Sequence, residues 1–179
     1  LHAGVRKLER PVALLAVEDR HAQPCVDSSS PLFLIHLGHI AIRRAKGDDF
    51  PGACPFHGDC IEGLVSGPAL ARRFGQPGDQ IDAEDPRWDH VAHDLAQLVS
   101  TILLMTAARQ VLIGGGVGMG RADLLDRVRA KIVAQLAGYL PFVTPDTIAA
   151  IVRTPALGDQ AGPLGAIALA LDALTERQG

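Results

Sequence analysis

Two cysteines and two histidines dominate the residues of this chain that could carry out chemistry. In the stretch CPFHGDCIEG, Cys54, His57 and Cys60 follow one another at intervals of three. Zinc prefers thiolate and imidazole ligands, and a structural zinc site takes four of them. The fourth ligand must come from elsewhere, and the first candidate is His39, with His36 second. The stretch therefore predicts a zinc site.

Other interpretations of this stretch remain open. The cluster could be a chance one, or the cysteines could form a redox pair, although Cys54 and Cys60 are six residues apart and not in a C-x-x-C arrangement. Glu62 lies just after the last cysteine, in the first turn of a predicted helix. A carboxylate there is favoured by the helix dipole, so capping is its simplest role. The functional alternative is an acceptor for sugar hydroxyls.

Predicted helices and strands alternate around this loop and would position it. A helix starts after Asp85 and Pro86, an N-cap residue followed by a first-turn proline, and ends near Ala108. This order predicts an α/β domain whose strands are covered by helices. The predicted strands are HIAIRR, RQVLIG and TIAAIVRT, and the other predicted helices are IEGLVSGPALARRFG, ADLLDRVRAKIVAQLAGYL and a C-terminal one after a glycine-rich turn. The long central helix should bury Val91, Leu95, Leu98, Val99, Ile102 and Met105.

Composition narrows the class of protein. The 179 residues are 47% hydrophobic and 21% charged with a net charge of −3, which is typical of a globular domain and unlike a basic nucleic-acid binder. No apolar run reaches the roughly 18 residues of a membrane span. The three cysteines suit a reducing cytoplasm with a metal site better than a disulfide framework. Two arginine pairs, 43–44 and 72–73, are predicted to be solvated surface residues.

Four motifs together resemble the ROK family of sugar kinases and repressors, and its bacterial fructokinase branch in particular. They are GHI at 38–40, GACPFHGDCIEGLVSGPAL at 52–70, VLIGGGVG at 111–118 and LGDQAGPLGA at 157–166. The resemblance implies an actin-like ATPase (ribonuclease H-like) fold, with residues 36–179 as its C-terminal lobe, carrying a zinc-binding loop. Residues 1–35 are then an atypical N-terminal segment.

The same resemblance implies roles for individual residues. His39, Cys54, His57 and Cys60 would bind Zn²⁺, which favours His39 over His36. His39 and Glu62 would also bind sugar hydroxyls. The glycines at 114–116 (Gly114, Gly115, Gly116) would let the backbone approach ATP. The implied partners are fructose, ATP with Mg²⁺ and a second copy in a homodimer, with neither nucleic acid nor membrane.

Some features of such kinases are not visible in these 179 residues. The sequence contains neither a D-x-G-G-T phosphate loop nor a G-T-G-x-G turn, and no catalytic Asp is recognisable. His36 stands where the family has a sugar-binding Glu, so sugar affinity should fall. We therefore expect a fructokinase, converting D-fructose to fructose 6-phosphate, of which this chain is a truncated C-terminal part that is inactive alone. The alternatives are a non-catalytic zinc-stabilised module that binds sugar, nucleotide or a partner subunit, and a fragment of a ROK-type repressor.

Overall fold

Strands and helices alternate along the chain, as the sequence predicts. The computed structural model describes residues 12–16, 37–106, 108–115 and 120–160, together with residues 164, 167, 171 and 174. Three parallel strands form one sheet in the order β1-β2-β3, with Val12 opposite Gln110 and Val111 opposite Val152. The strands are β1 (Val12–Ala16), β2 (Gln110–Gly114) and β3 (Val152–Arg153).

Five α-helices and three short 3-10 turns connect and cover these strands within the described residues. The helices are α1 (Ile61–Val65), α2 (Gly67–Phe74), α3 (Arg87–Thr106), α4 (Ala122–Leu136) and α5 (Ile148–Ile151). The 3-10 turns are Leu37–His39, Gly78–Gln80 and Gly158–Gln160.

The core lies where α3 packs against α4 and α1. Helix α3 begins as predicted, because the Asp85 carboxylate accepts a hydrogen bond from the Arg87 N–H at 2.9 Å. Met105 is the exception among the residues predicted to be buried on α3, since 68% of it is exposed. Its helix face is covered by the core only as far as Leu103. The other residues predicted to be buried on α3 are buried: Val91, Leu95, Leu98, Val99 and Ile102. The buried face of α4 consists of Leu124, Leu125, Val128, Ile132 and Leu136.

Two predictions about the segments beside the metal loop are wrong. HIAIRR is not a strand, because its alternating isoleucines pack against the core while no strand among the described residues pairs with it. The carbonyl of Ile40 instead accepts a hydrogen bond from Ile61 N–H at 3.1 Å. The predicted helix over 61–75 is two helices that meet at Ser66. Pro68 has no N–H to bond to the carbonyl of Leu64, so α1 cannot continue, and Ser66 Oγ caps α2 at Ala69 N.

The predicted strand TIAAIVRT is mostly helical. The Thr144 carbonyl accepts a hydrogen bond from the Ile148 N–H at 3.0 Å, which starts α5, so that Val152 and Arg153 remain as the strand beside β2. The described residues contain no helix that is long and apolar enough to cross a membrane. Near the C-terminus, the described residues are helical and exposed: Leu164, Ile167, Leu171 and Leu174.

Candidate metal centre

Four side chains converge at one point in front of α1. His39, Cys54, His57 and Cys60 each place one ligand atom so that all four atoms lie within 4.8 Å of one another. His39 Nδ1 is 3.6 Å from Cys60 Sγ and 3.8 Å from Cys54 Sγ. In a tetrahedral zinc site, Zn–S bonds of about 2.3 Å and Zn–N bonds of about 2.0 Å separate the ligand atoms by roughly 3.3–3.8 Å. The donor set thus suits zinc, and the distances from His39 Nδ1 to the two sulfurs match this spacing.

Local backbone hydrogen bonds hold these ligands in place. The 54–58 loop closes on itself because Cys54 and Gly58 exchange two backbone hydrogen bonds of 3.0 and 3.1 Å. His57 is therefore presented beside Cys54, with its Nδ1 3.9 Å from Cys54 Sγ. Cys60 directly precedes α1 and is buried. The turn Leu37–His39 supplies the fourth ligand from a distant part of the sequence.

Two glycines allow the loop to lie directly against α1. A Cβ at Gly63 would lie 2.0 Å from the Gly58 carbonyl oxygen, and a Cβ at Gly52 would lie 2.1 Å from the same atom. Gly52 also has φ +84, which side-chain-bearing residues rarely adopt. The Ala53 N–H donates to the Gly63 carbonyl at 2.8 Å. Any larger residue at 52 or 63 would force the loop away from the helix.

The local environment shifts the pKa values of the two thiols in opposite directions. Burial would raise the pKa of the Cys54 thiol, but hydrogen bonds from the backbone N–H groups of His57 and Phe56 outweigh it, so its pKa is lowered. Burial raises the pKa of the Cys60 thiol, and the neighbouring Cys54 raises it further. A cation bound between the two sulfurs would remove this mutual repulsion, because both would bind it as thiolates.

A carboxylate lies on the other side of the His39 ring. Glu62 Oε2 is 3.1 Å from His39 Nε2, while Nδ1 of the same ring faces the two cysteines. The side chains of His39 and Glu62 are 41% and 49% exposed, so a ligand from solvent can reach both. The structure brings His39 and Glu62 together, and their role toward a sugar stays a prediction.

A chain of charged side chains connects the metal loop to the helices behind it. Arg44 bonds Asp59 at 3.2 Å and Asp48 at 2.8 Å, and Arg73 bonds Asp48 at 3.2 Å and Asp94 at 3.1 Å. The side chains of Arg73 and Asp94 are 2% and 0% exposed. The prediction that these arginines are solvated is therefore wrong for Arg73 and for the largely covered Arg44. The burial of Arg73 could not be predicted from the sequence because its partners, Asp48 and Asp94, lie 25 and 21 residues away.

Asp94 is the most strongly perturbed acid of the described residues. Burial raises its pKa to about 6, although the charge of Arg73 opposes this rise. Its second oxygen, Oδ1, and two nitrogens of Arg73 have no hydrogen-bond partner among the described residues. This network of ion pairs therefore connects the loop to the helices but leaves buried polar atoms without hydrogen-bond partners, which costs stability.

Two of the three predicted nucleotide glycines, Gly114 and Gly115, lie at the carboxyl end of β2. Gly114 ends the strand, and a Cβ there would lie 3.3 Å from the Pro155 ring. Gly115 has φ +78, a conformation that favours glycine. Gly116 lies outside the described residues, as does His36. Ligands of parallel α/β sheets commonly bind beyond the carboxyl ends of the strands, so the position is compatible with the predicted role, which stays a prediction.

Comparison with known proteins identifies the family. The sequence profile described as "ROK family" matches residues 33–173, which is most of the chain.

The chain belongs to the ROK family.

Curated relatives of this ROK chain include fructokinases. The chain is 35% identical over 138 residues to a fructokinase of Pediococcus pentosaceus, covering 77% of this chain and 46% of the relative. It is 37% identical over 137 residues to a fructokinase of Streptococcus mutans, covering 74% and 45%. The ROK chain thus spans about half the length of the curated relatives that it matches.

A solved structure supports the fold. A ROK hexokinase from Thermus thermophilus superposes with a TM-score of 0.53 at 23% identity, covering 73% of this chain and 45% of that chain. This likeness confirms the expected fold, the actin-like ATPase fold of ROK sugar kinases. Zinc binding, sugar binding and nucleotide binding by this chain stay predictions.

Proposed function

We propose that this chain is the sugar-binding part of an ATP-dependent fructokinase, and that a zinc ion holds its sugar-binding loop in shape. The observation that carries the proposal is the His39–Glu62 pair, which faces solvent directly beside a four-ligand cluster suited to zinc. The identities of 35% and 37% to fructokinases favour fructose as the sugar.

The chemistry of the pair suits a polyol. The Glu62 carboxylate accepts hydrogen bonds from hydroxyl groups, and the imidazole of His39 provides a directed partner for a neighbouring hydroxyl. Zinc, when bound, would neutralise the two thiolates and fix the loop through His39, Cys54, His57 and Cys60. The half-exposed position of both sugar contacts keeps them accessible to a small ligand while the cluster behind them stays fixed.

Phosphoryl transfer would require groups that these 179 residues do not visibly supply. In-line transfer depends on a positioned base, a phosphate cradle and Mg²⁺. The glycines at 114–116 are our candidates for contact with ATP, because they follow a parallel strand at its carboxyl end. We therefore expect the 179-residue chain to bind fructose without phosphorylating it.

Sugar binding by the zinc-loaded chain tests this proposal. Saturation-transfer NMR should detect fructose on the wild-type protein and lose the signal in Glu62→Ala. Glu84→Ala is the matched control, because Glu84 is an exposed acid on the turn before α3. A fructose signal that is absent from the wild type, or that persists in Glu62→Ala, would contradict the proposal.

A coupled assay with fructose, ATP and Mg²⁺ separates the kinase from the binding module. We expect no turnover by the isolated chain. Measurable turnover would show that the missing-base argument is wrong, while fructose binding without turnover supports it.

A further inference from the structure

We infer that Glu62 is a positioning residue for the metal, in addition to its proposed contact with sugar. The structure places the Glu62 carboxylate and the two thiols on opposite edges of one imidazole ring. Oε2 lies 3.1 Å from His39 Nε2, and Nδ1 lies 3.6 and 3.8 Å from the sulfurs of Cys60 and Cys54. A metal ligand and a carboxylate that share one histidine in this way form a carboxylate–histidine–metal arrangement.

The contact selects the form of the ring that can bind a metal. A neutral imidazole carries its proton on one nitrogen and offers a lone pair on the other. A carboxylate at Nε2 favours the proton on Nε2, because it accepts that hydrogen bond. Nδ1 then offers its lone pair to the cation between the sulfurs. In the sugar-free protein Glu62 therefore holds both the tautomer and the angle of the His39 ring, and a sugar oxygen would share or replace its contact with Nε2–H.

The backbone explains why Glu62 can reach this position. Glu62 lies in the first turn of α1, two residues after the ligand Cys60, so the helix that carries one ligand also carries the carboxylate. The turn with His39 is joined to α1 by the hydrogen bond from Ile61 N–H to the Ile40 carbonyl. Glu62 Oε2 lies 3.5 Å from the point where a Cβ at Gly38 would be, so it packs closely over that turn.

The structure also argues against capping as the main role of Glu62. Its side chain is directed at His39, and the only helix bond that residue 62 makes among the described residues is at the C-terminal end of α1, where its backbone carbonyl accepts from Ser66 N–H. An exposed ion pair of this kind contributes about 0–1 kcal/mol to folding. Loss of Glu62 should therefore leave the metal-free fold almost unchanged and act on the metal instead.

Zinc affinity, measured without sugar by competition with a chromogenic chelator, tests this inference. Glu62→Ala should lower zinc affinity by about 10–100-fold, which is typical for removal of an outer carboxylate. Glu62→Gln should keep most of the affinity, because its amide oxygen still accepts from Nε2–H. Glu84→Ala should bind zinc as the wild type does. The imidazole ¹⁵N spectrum of the zinc-loaded protein should show a protonated His39 Nε2 whose proton exchanges faster in Glu62→Ala.

Three results would overturn the inference. They are an unchanged zinc affinity in Glu62→Ala, equal losses in Glu62→Ala and Glu62→Gln, and a fall in affinity that is matched by a lower melting temperature of the metal-free protein. The second would assign the effect to charge alone, and the third to a general role in folding. Because no sugar is present, these outcomes are independent of whether the chain binds fructose.

Discussion

Gly63→Ala offers the sharpest test of how the metal loop is built. The added Cβ would lie 2.0 Å from the Gly58 carbonyl oxygen, 2.8 Å from Cys54 N and 2.9 Å from Cys54 Cβ. The first two are backbone atoms of the loop, so no side-chain rotation can relieve the overlap. The loop must move by about 1 Å to reach ordinary contact distances, and its ligands must move with it.

Opposing contributions determine whether Gly63→Ala raises or lowers the free energy of unfolding. Alanine is favoured over glycine in a helix by about 0.5–1 kcal/mol. Against this, overpacking costs about 1–3 kcal/mol. Displacing the loop also weakens two backbone hydrogen bonds, from Ala53 N–H to Gly63 and from Cys54 N–H to Gly58, which contribute about 0.5–1.5 kcal/mol each. We expect the free energy of unfolding to fall by about 2–4 kcal/mol.

Urea denaturation of the zinc-loaded proteins, with zinc content per chain, measures the effect. Gly78→Ala is the matched control, because Gly78 starts the turn Gly78–Gln80 without a positive φ and nothing outside its immediate surroundings lies within 4 Å of its Cβ position. The control should be as stable as the wild type or slightly more so, with full zinc. If Gly63→Ala unfolds at the same urea concentration as the control and retains zinc, the close contact between loop and helix is not as described.

Two further predictions concern the helices behind the loop. The pKa of Asp94 is raised to about 6 in the fold, so the folded protein takes up a proton as the pH falls from 7 to 5, whereas the unfolded chain does not. This group should therefore raise the free energy of unfolding by roughly 1 kcal/mol between pH 7 and pH 5. Asp94→Asn should remove this gain, and a difference in unfolding free energy between wild type and variant that is equal at both pH values would contradict it. Ser66→Ala removes the cap of α2 at Ala69 N and should lower stability by about 0.5–1 kcal/mol in thermal unfolding, whereas an unchanged midpoint would show that the 3.4 Å contact contributes little.

The cluster of candidate metal ligands could be predicted from the sequence because most of its spacing is local. Cys54, His57 and Cys60 lie within seven residues, and a short closed loop brings such ligands together almost regardless of the rest of the fold. The buried faces of α3 and α4 could also be predicted, since a 3.6-residue period of apolar residues indicates which side of a helix is buried. The choice of His39 as the fourth ligand needed the family resemblance as well.

Contacts between segments that are distant in sequence could not be predicted in this way. The burial of Arg73 depends on Asp48 and Asp94, which lie 25 and 21 residues away in sequence. A charged residue on a short helix is normally solvated, and nothing local distinguishes this one. The strand prediction for HIAIRR was wrong for a related reason. Alternation of apolar residues indicates that one side is buried, but it does not indicate whether another strand is available for pairing. A glycine at the start of α1 was the local signal that could have indicated close contact with the loop.

The contacts around the candidate metal centre explain how a short loop can hold His39 and Glu62 in defined positions. The absence of a side chain at Gly63 lets α1 lie against the loop, and Glu62 contacts the His39 ring. The series of ion pairs from Asp59 to Asp94 connects the loop to α2 and α3. These contacts belong to the protein itself, and the buried core of α3 and α4 does not include the ligands. Metal binding would therefore lock a loop that is largely arranged beforehand, unlike small zinc domains that fold only with their metal. Because one edge of the His39 ring faces the two cysteines and the other faces Glu62, a displacement of the loop by a fraction of an ångström would change both the candidate metal site and the proposed sugar contact.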